Sequence, residues 1–151
     1  MKSESLDLRY AVQSDIKGMV NLLSELFQIE DDFSFNEEKQ YKGLSLLVND
    51  KSCAVLVASI NKKIVGMVTI QILVSTAEGG NVGIIEDLVL KKEHRRQKIA
   101  SKLLDKAFRW ANENSLKRIQ LLADKNNSGA LAFYSKTDWQ KTNLICLRKF
   151  L

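Results

Sequence analysis

Apolar residues recur along this chain with two different periods, and each change of period marks an element. Leu6, Leu8 and Tyr10 alternate with Asp7 and Arg9, the pattern of a short half-buried strand. From Ile16 the apolar positions Met19, Val20, Leu22, Leu23, Leu26 and Phe27 fall at helical spacing, with Ser14 and Asp15 suited to start the helix. An acidic stretch follows, and a second helix is expected from Glu37 to Val48. Cys53–Ile60 and Ile64–Ser75 are apolar, β-branched runs joined by Asn61-Lys62-Lys63, which reads as a hairpin. Glu78-Gly79-Gly80-Asn81 turns the chain into a further strand, Val82–Leu90. At Ile99 the period becomes helical again. Ile99, Ala100, Leu103, Leu104, Ala107, Phe108 and Ala111 share one face, and Lys102, Asp105, Lys106, Arg109 and Glu113 the other. A strand over Arg118–Ala123, a short helix over Ser128–Lys136 and a last strand over Leu144–Phe150 complete the pattern.

This order predicts one mixed α/β domain spanning residues 1–151. Val82–Leu90, the helix from Ile99 and the Arg118–Ala123 strand form a βαβ unit, whose two strands should be parallel. With no proline in the chain, turns fall to Gly, Asn, Asp and Ser. The net charge of +5 favours anionic partners mildly, but the cations are spread along the chain, which argues against nucleic acid as a partner. Cys53 and Cys146 lie in apolar stretches and read as reduced thiols; with His94 the only histidine, a metal site is not expected. No apolar run is long enough for a membrane span or signal peptide, so a cytoplasmic protein is expected.

The helix that begins at Ile99 has an unusual start. Arg95, Arg96 and Lys98 precede it, where the helix already carries partial positive charge and unpaired N–H groups. Each cation there costs about 0.3–1 kcal/mol, and none of Arg95, Arg96, Gln97 or Lys98 is a usual N-cap. An anion would supply the missing acceptors. In a βαβ unit ligands collect at the carboxyl end of the first strand, which is the loop from Leu90 to Ile99.

The strand–loop–helix run IIEDLVL, KKEH, RRQKIA, SKLL resembles the signature of the GNAT superfamily of N-acetyltransferases, Q/R-x-x-G-x-G/A between a strand and a helix. Further on, Asn127, Ala130, Phe133 and Tyr134 match the family's N-x-x-A-x-x-F-Y, and the opening LRYAVQSDIKGMVNLL is similar to the family's first strand and helix. The resemblance implies a mixed, mostly antiparallel sheet with a central parallel strand pair, flanked by helices. It also implies acetyl-CoA as co-substrate. The backbone N–H groups of Arg96, Gln97, Lys98, Ile99, Ala100 and Ser101 would then cradle its pyrophosphate, with charge added by Arg95 and Arg96. Leu88, Val89 and Leu90 would exchange backbone hydrogen bonds with the pantetheine arm, Asn127 would bond near it, and Tyr134 would protonate the leaving thiolate. Two positions depart from the family pattern: Lys98 occupies the central glycine of the signature, and Asp138-Trp139 stands where Gly-Phe is frequent.

Acetyl transfer to nitrogen needs a neutral amine, hence a base. Glu86 is the candidate, because it interrupts an apolar strand just before the pantetheine-binding stretch, where desolvation would raise its pKa. Glu86-Asp87 also resembles the polyamine acetyltransferases of this family. His94 reads as a packing residue, and neither cysteine lies in the matching motifs, so direct transfer in a ternary complex is expected rather than an acyl-enzyme. Glu25, Glu30, Asp31, Asp32, Glu37 and Glu38, interleaved with Phe27, Phe33, Phe35 and Tyr41, suit a cationic amine acceptor. A small molecule and a peptide amine both remain open. A non-catalytic acyl-CoA-binding sensor on the same fold is the alternative. The apolar last strand suggests a homodimer through edge pairing.

Overall fold

The computed structural model describes residues 5–30 and 32–151, so Asp31 of the acidic stretch lies outside the described residues. The chain falls into two compact units, one ending at Leu121 and the other spanning Leu122–Leu151. In the first unit the predicted elements appear in order: β1 (Leu6–Tyr10), α1 (Ile16–Phe27), α2 (Glu37–Asn49), β2 (Cys53–Ile60), β3 (Lys63–Ser75), β4 (Gly80–Leu90), α3 (Ile99–Glu113) and β5 (Ile119–Leu121). The strands form one sheet in the order β1-β2-β3-β4-β5, antiparallel except for the parallel pair β4–β5. The β2–β3 turn is tight because Asn61 and Lys62 both adopt left-handed φ, 51° and 64°. Such a pair matches the twist of a hairpin.

Helices cover both faces of the sheet, so β2 is buried along nearly its whole length. Ile16, Met19, Leu22, Leu23 and Leu26 of α1, with Leu44 of α2, pack on Val55, Val57, Met67 and Val89. The alternate residues Leu56 and Val68 face the other way. Gly66 lies on that second face under α3: a side chain there would press on Leu103 of α3 and collide with Leu90 of β4. The buried stripe of α3 is Ile99, Leu103, Leu104, Ala107, Trp110 and Ala111. Trp110 joins the expected positions, and Phe108 is only half-buried.

Two expectations fail toward the C-terminus. β5 runs for Ile119–Leu121 only, not Arg118–Ala123. Its ladder stops at Ile85↔Leu121, immediately before the register of β4 slips, and a strand cannot follow a neighbour through a bulge without a matching bend. Nor do residues Leu144–Phe150 form a strand. A strand persists only where a neighbour takes its N–H and C=O groups, and the second unit contains no other strand. The parallel pair therefore stands at one end of the sheet, and the edge on which a dimer was expected is not built. Leu144, Ile145, Leu147 and Phe150 are exposed instead. The second unit's one helix is α4 (Ser128–Ser135).

The start of α1 is fixed by a buried carboxylate. Asp15 receives Arg9 Nη1 on Oδ2 at 2.6 Å and Nη2 on Oδ1 at 3.0 Å, while the Val12 N–H donates to Oδ2 at 2.8 Å. These bonds tie β1 to the turn that opens α1. The Arg9 guanidinium holds the Asp15 carboxyl below the usual carboxylate range, and burial works the other way. Asp15→Asn should lower stability at pH 7 by about 2 kcal/mol, since the Arg9 fork loses its buried, bidentate partner and keeps only the exposed Asp7. The lowered pKa makes that contribution complete above about pH 4, and acid removes it as the folded-state carboxyl protonates. Urea unfolding of the two proteins should therefore differ at pH 7 and converge as pH falls below 4.

Candidate active site

The site is set by a slip in the β3–β4 ladder. Val68 pairs with Leu88 and Ile70 with Ile85, so Thr69 alone stands opposite both Glu86 and Asp87. Such a bulge leaves one residue without a ladder partner. Thr69 is fully buried, and its hydroxyl takes over: Oγ1 accepts the Asp87 N–H at 3.1 Å and donates to Asp87 Oδ2 at 3.1 Å. The bulge also decides which carboxyl is desolvated. Glu86 is exposed; the carboxyl that interrupts the apolar surroundings is that of its neighbour, Asp87. Burial, the negative charge of Glu86 and that of Glu30 push the Asp87 pKa up to about 7, against the opposing pull of the Thr69 hydrogen bond. Desolvation is the largest of these causes.

Beyond the bulge, β4 continues from Glu86 to Leu90 with no β5 beside it. The Lys91 N–H donates to the Val65 carbonyl of β3 at 2.8 Å. Strand alternation then turns the backbone groups of Val89 toward β3 and those of Leu88 and Leu90 away from it, toward the open side. Of the three expected pantetheine contacts, Leu88 and Leu90 present backbone groups that way.

The chain then passes through a single 3-10 turn at Lys92–His94 and reaches α3 through two left-handed residues, Arg96 and Lys98, each with φ of 61°. Lys98 is the N-cap residue, and no side chain caps the helix. Its carbonyl accepts the Lys102 N–H at 3.1 Å, which leaves the N–H groups of Ile99, Ala100 and Ser101 as the unpaired donors of the first turn. Gln97 turns its amide back to the Glu93 carbonyl at 3.3 Å. Arg95, Arg96 and Lys98 are exposed around these donors, and His94 is half-buried. Unpaired N–H groups ringed by cations, next to open strand backbone, form a seat for an elongated ligand with an anionic end.

Asn127 and Tyr134 belong to the second unit. Asn127 is the N-cap of α4: its Oδ1 accepts the Ala130 N–H at 3.1 Å, so its amide NH2 is the group left to address a ligand. The Tyr134 ring packs edge-on against Phe133 and Trp139, with centroids 5.4 Å away in each case. Asp138 adopts a left-handed φ of 60°, the conformation a glycine at that position would supply.

Residues 16–139 match the model of the acetyltransferase (GNAT) family. The chain belongs to that family. It is therefore an enzyme of acetyl transfer, in a family whose acetyltransferases use acetyl-CoA. It is 29% identical over 139 residues to an uncharacterised N-acetyltransferase of Archaeoglobus fulgidus, covering 90% of this chain and 94% of the relative. Solved structures that share its fold include the following two. A transcriptional regulator from Bacillus halodurans superposes with a TM-score of 0.84 at 24% identity, over 97% of this chain and all of the other. An aminoglycoside N-acetyltransferase in complex with CoA superposes with a TM-score of 0.84 at 12% identity, over 99% of this chain and 97% of that one. Among the described residues no helix is long and apolar enough to cross a membrane.

Two substitutions probe the site as built. A lysine at φ 61° carries conformational strain that glycine does not, so Lys98→Gly should raise stability by about 0.5–1 kcal/mol in urea unfolding. A carboxyl whose folded pKa is raised favours the protonated protein. The Asp87 charge thus costs nothing below about pH 4, an increasing amount as pH rises, and its full amount above about pH 7. Asp87→Asn should accordingly be more stable than the natural protein at pH 8, by on the order of 2–3 kcal/mol. Melting temperatures followed from pH 8 down to pH 4 should show that gain disappear.

Proposed function

We propose that this GNAT-family enzyme moves the acetyl group of acetyl-CoA to a primary amine by direct transfer within a ternary complex. The observation that carries the reading is the uncapped, cation-ringed start of α3 lying directly after the open half of β4. The pyrophosphate of acetyl-CoA suits the N–H groups and cations of Arg95–Ser101, and the pantetheine amides suit the outward backbone groups of Leu88 and Leu90. An N–H on that strand would polarise the thioester carbonyl as charge develops on its oxygen. Asn127 would add a hydrogen bond to the pantetheine, and Tyr134 would protonate the thiolate as it leaves.

The acceptor is a cationic amine. Glu86 is exposed on β4, and the segment between α1 and α2 presents carboxylates together with the exposed rings of Phe33 and Phe35; Tyr41 adds a third exposed ring on α2. Phe33 stacks on Phe27 with centroids 5.5 Å apart, which gives that segment a fixed aromatic surface. Such a surface attracts an ammonium ion through charge and through the ring faces. In this reading Glu86 receives the ammonium beside the acetyl group.

Acetyl-CoA should raise the melting temperature at sub-millimolar concentration. Thiol release should follow when amines are added, with polyamines, aminoglycosides and short peptides as the first panel. Tyr134→Phe should leave the thermal shift intact and lower kcat by about 100-fold, the size of one general-acid contribution. Stabilisation without thiol release for any amine would identify a sensor of acyl-CoA. No stabilisation at millimolar acetyl-CoA would overturn the reading altogether.

A further inference from the structure

One group in the site has geometry without an assigned task. Asp87 lies between Glu86, which is exposed, and Leu88, whose backbone faces the open side of β4. Its carboxyl is held from one side only: Thr69 Oγ1 bonds Oδ2 and the backbone N–H, and Oδ1 accepts no hydrogen bond from the described residues. A buried structural aspartate is ordinarily paired with a cation, as Asp15 at the start of α1 is with Arg9. The charged groups that act on Asp87 are Glu86 on its own strand and Glu30 beyond α1, both negative. A half-buried carboxyl with one oxygen unbonded and two carboxylates acting on it is placed to receive a proton from a cation that those carboxylates attract.

Resting on the acetyl-transfer reading, we propose that Asp87, fixed in the β4 bulge by Thr69, is the base that deprotonates the acceptor's ammonium group, with Glu86 binding that group rather than titrating it. The ammonium N–H bond breaks and its proton bonds to Asp87. The freed nitrogen lone pair forms the C–N bond to the thioester carbonyl carbon, and the C–S bond breaks. A second nitrogen proton passes to the departing sulfur, and Asp87 returns its proton to water. One proton is released per amide formed. A carboxyl titrating near 7 is far better matched to this task than one near 4, because it holds the proton it has taken while still being ionised at neutral pH. Thr69 is a positioning residue: its hydroxyl bonds Asp87, fixing where the carboxyl points and keeping its pKa from rising further.

The test is the pH dependence of kcat/KM, between pH 5.5 and 9.5, for whichever amine the thiol-release panel identifies. The natural enzyme should show an ascending limb centred near pH 7. Asp87→Asn should lose at least 100-fold in kcat and lose the limb, while its acetyl-CoA thermal shift is unchanged. Asp87→Glu should recover part of the rate. Thr69→Val removes the bond that favours the charged carboxyl, so its limb should move to higher pH, and Thr69→Ser should restore it. Glu86→Gln should raise KM for the amine and keep the limb. Carboxyl carbon NMR adds a readout independent of turnover, and the Asp87 signal should titrate near 7. Turnover by Asp87→Asn within threefold of the natural enzyme, an unmoved limb in Thr69→Val, or an Asp87 signal titrating below 5 would overturn the assignment while leaving acetyl transfer standing. Absence of thiol release with every amine would overturn both.

Discussion

A single buried hydroxyl governs what β4 can do. Thr69 faces two residues where the ladder allows one, and its Oγ1 satisfies the backbone donor that the slip would orphan. A buried unpaired N–H costs about 1–3 kcal/mol, so the slip survives only because that hydroxyl is present. Once the slip exists, several things follow. β5 cannot accompany β4 beyond Ile85, the end of β4 is left with open backbone, and Asp87 is half-buried while Glu86 is exposed. The open backbone of β4 and the placement of its two carboxyls thus share one origin in the fold.

The other half of the site depends on backbone geometry of a different kind. Arg96 and Lys98 are long L-residues held in a conformation that glycine adopts freely. Holding them there leads into a helix whose first N–H groups have no capping side chain, at some conformational cost, in a region already crowded with positive charge. Each of these unfavourable choices becomes favourable when a polyanion is bound. Strain and like-charge repulsion in the same few residues are what distinguish this helix start from that of α2. There Asn36 caps in the ordinary way, its Oδ1 accepting the Lys39 N–H at 3.0 Å.

Much of this arrangement was legible in the residues. The period of α1 and α3, the β2–β3 hairpin and the basic helix start all follow from local pattern. The position of the cation-ringed turn follows from the βαβ rule. What local pattern missed came from contacts distant in sequence. The desolvated carboxyl was expected at Glu86 and is found at Asp87, because a bulge shifts the alternation by one residue. The run Ile84-Ile85-Glu86-Asp87 carries the trace of that shift, two apolar neighbours followed by two acidic ones in a strand that should alternate. The strand expected at Leu144–Phe150 failed for a related reason: β-propensity describes how a segment fits a sheet, and says nothing about whether a neighbour is there to pair. Lys98 went the other way. Its left-handed φ is what the family glycine implied, and the sequence departs in residue type while keeping the shape.

Gly66 has a consequence for how strand and helix are spaced. Leu90, the last residue of the open strand, and Leu103, one turn into α3, both close over the same missing side chain. The separation of the end of β4 from the first turns of α3 is therefore gauged by an empty position on β3. A methyl group at residue 66 would wedge strand and helix apart from behind. The distance between the open backbone of β4 and the uncapped start of α3 is thus set by a residue that belongs to neither.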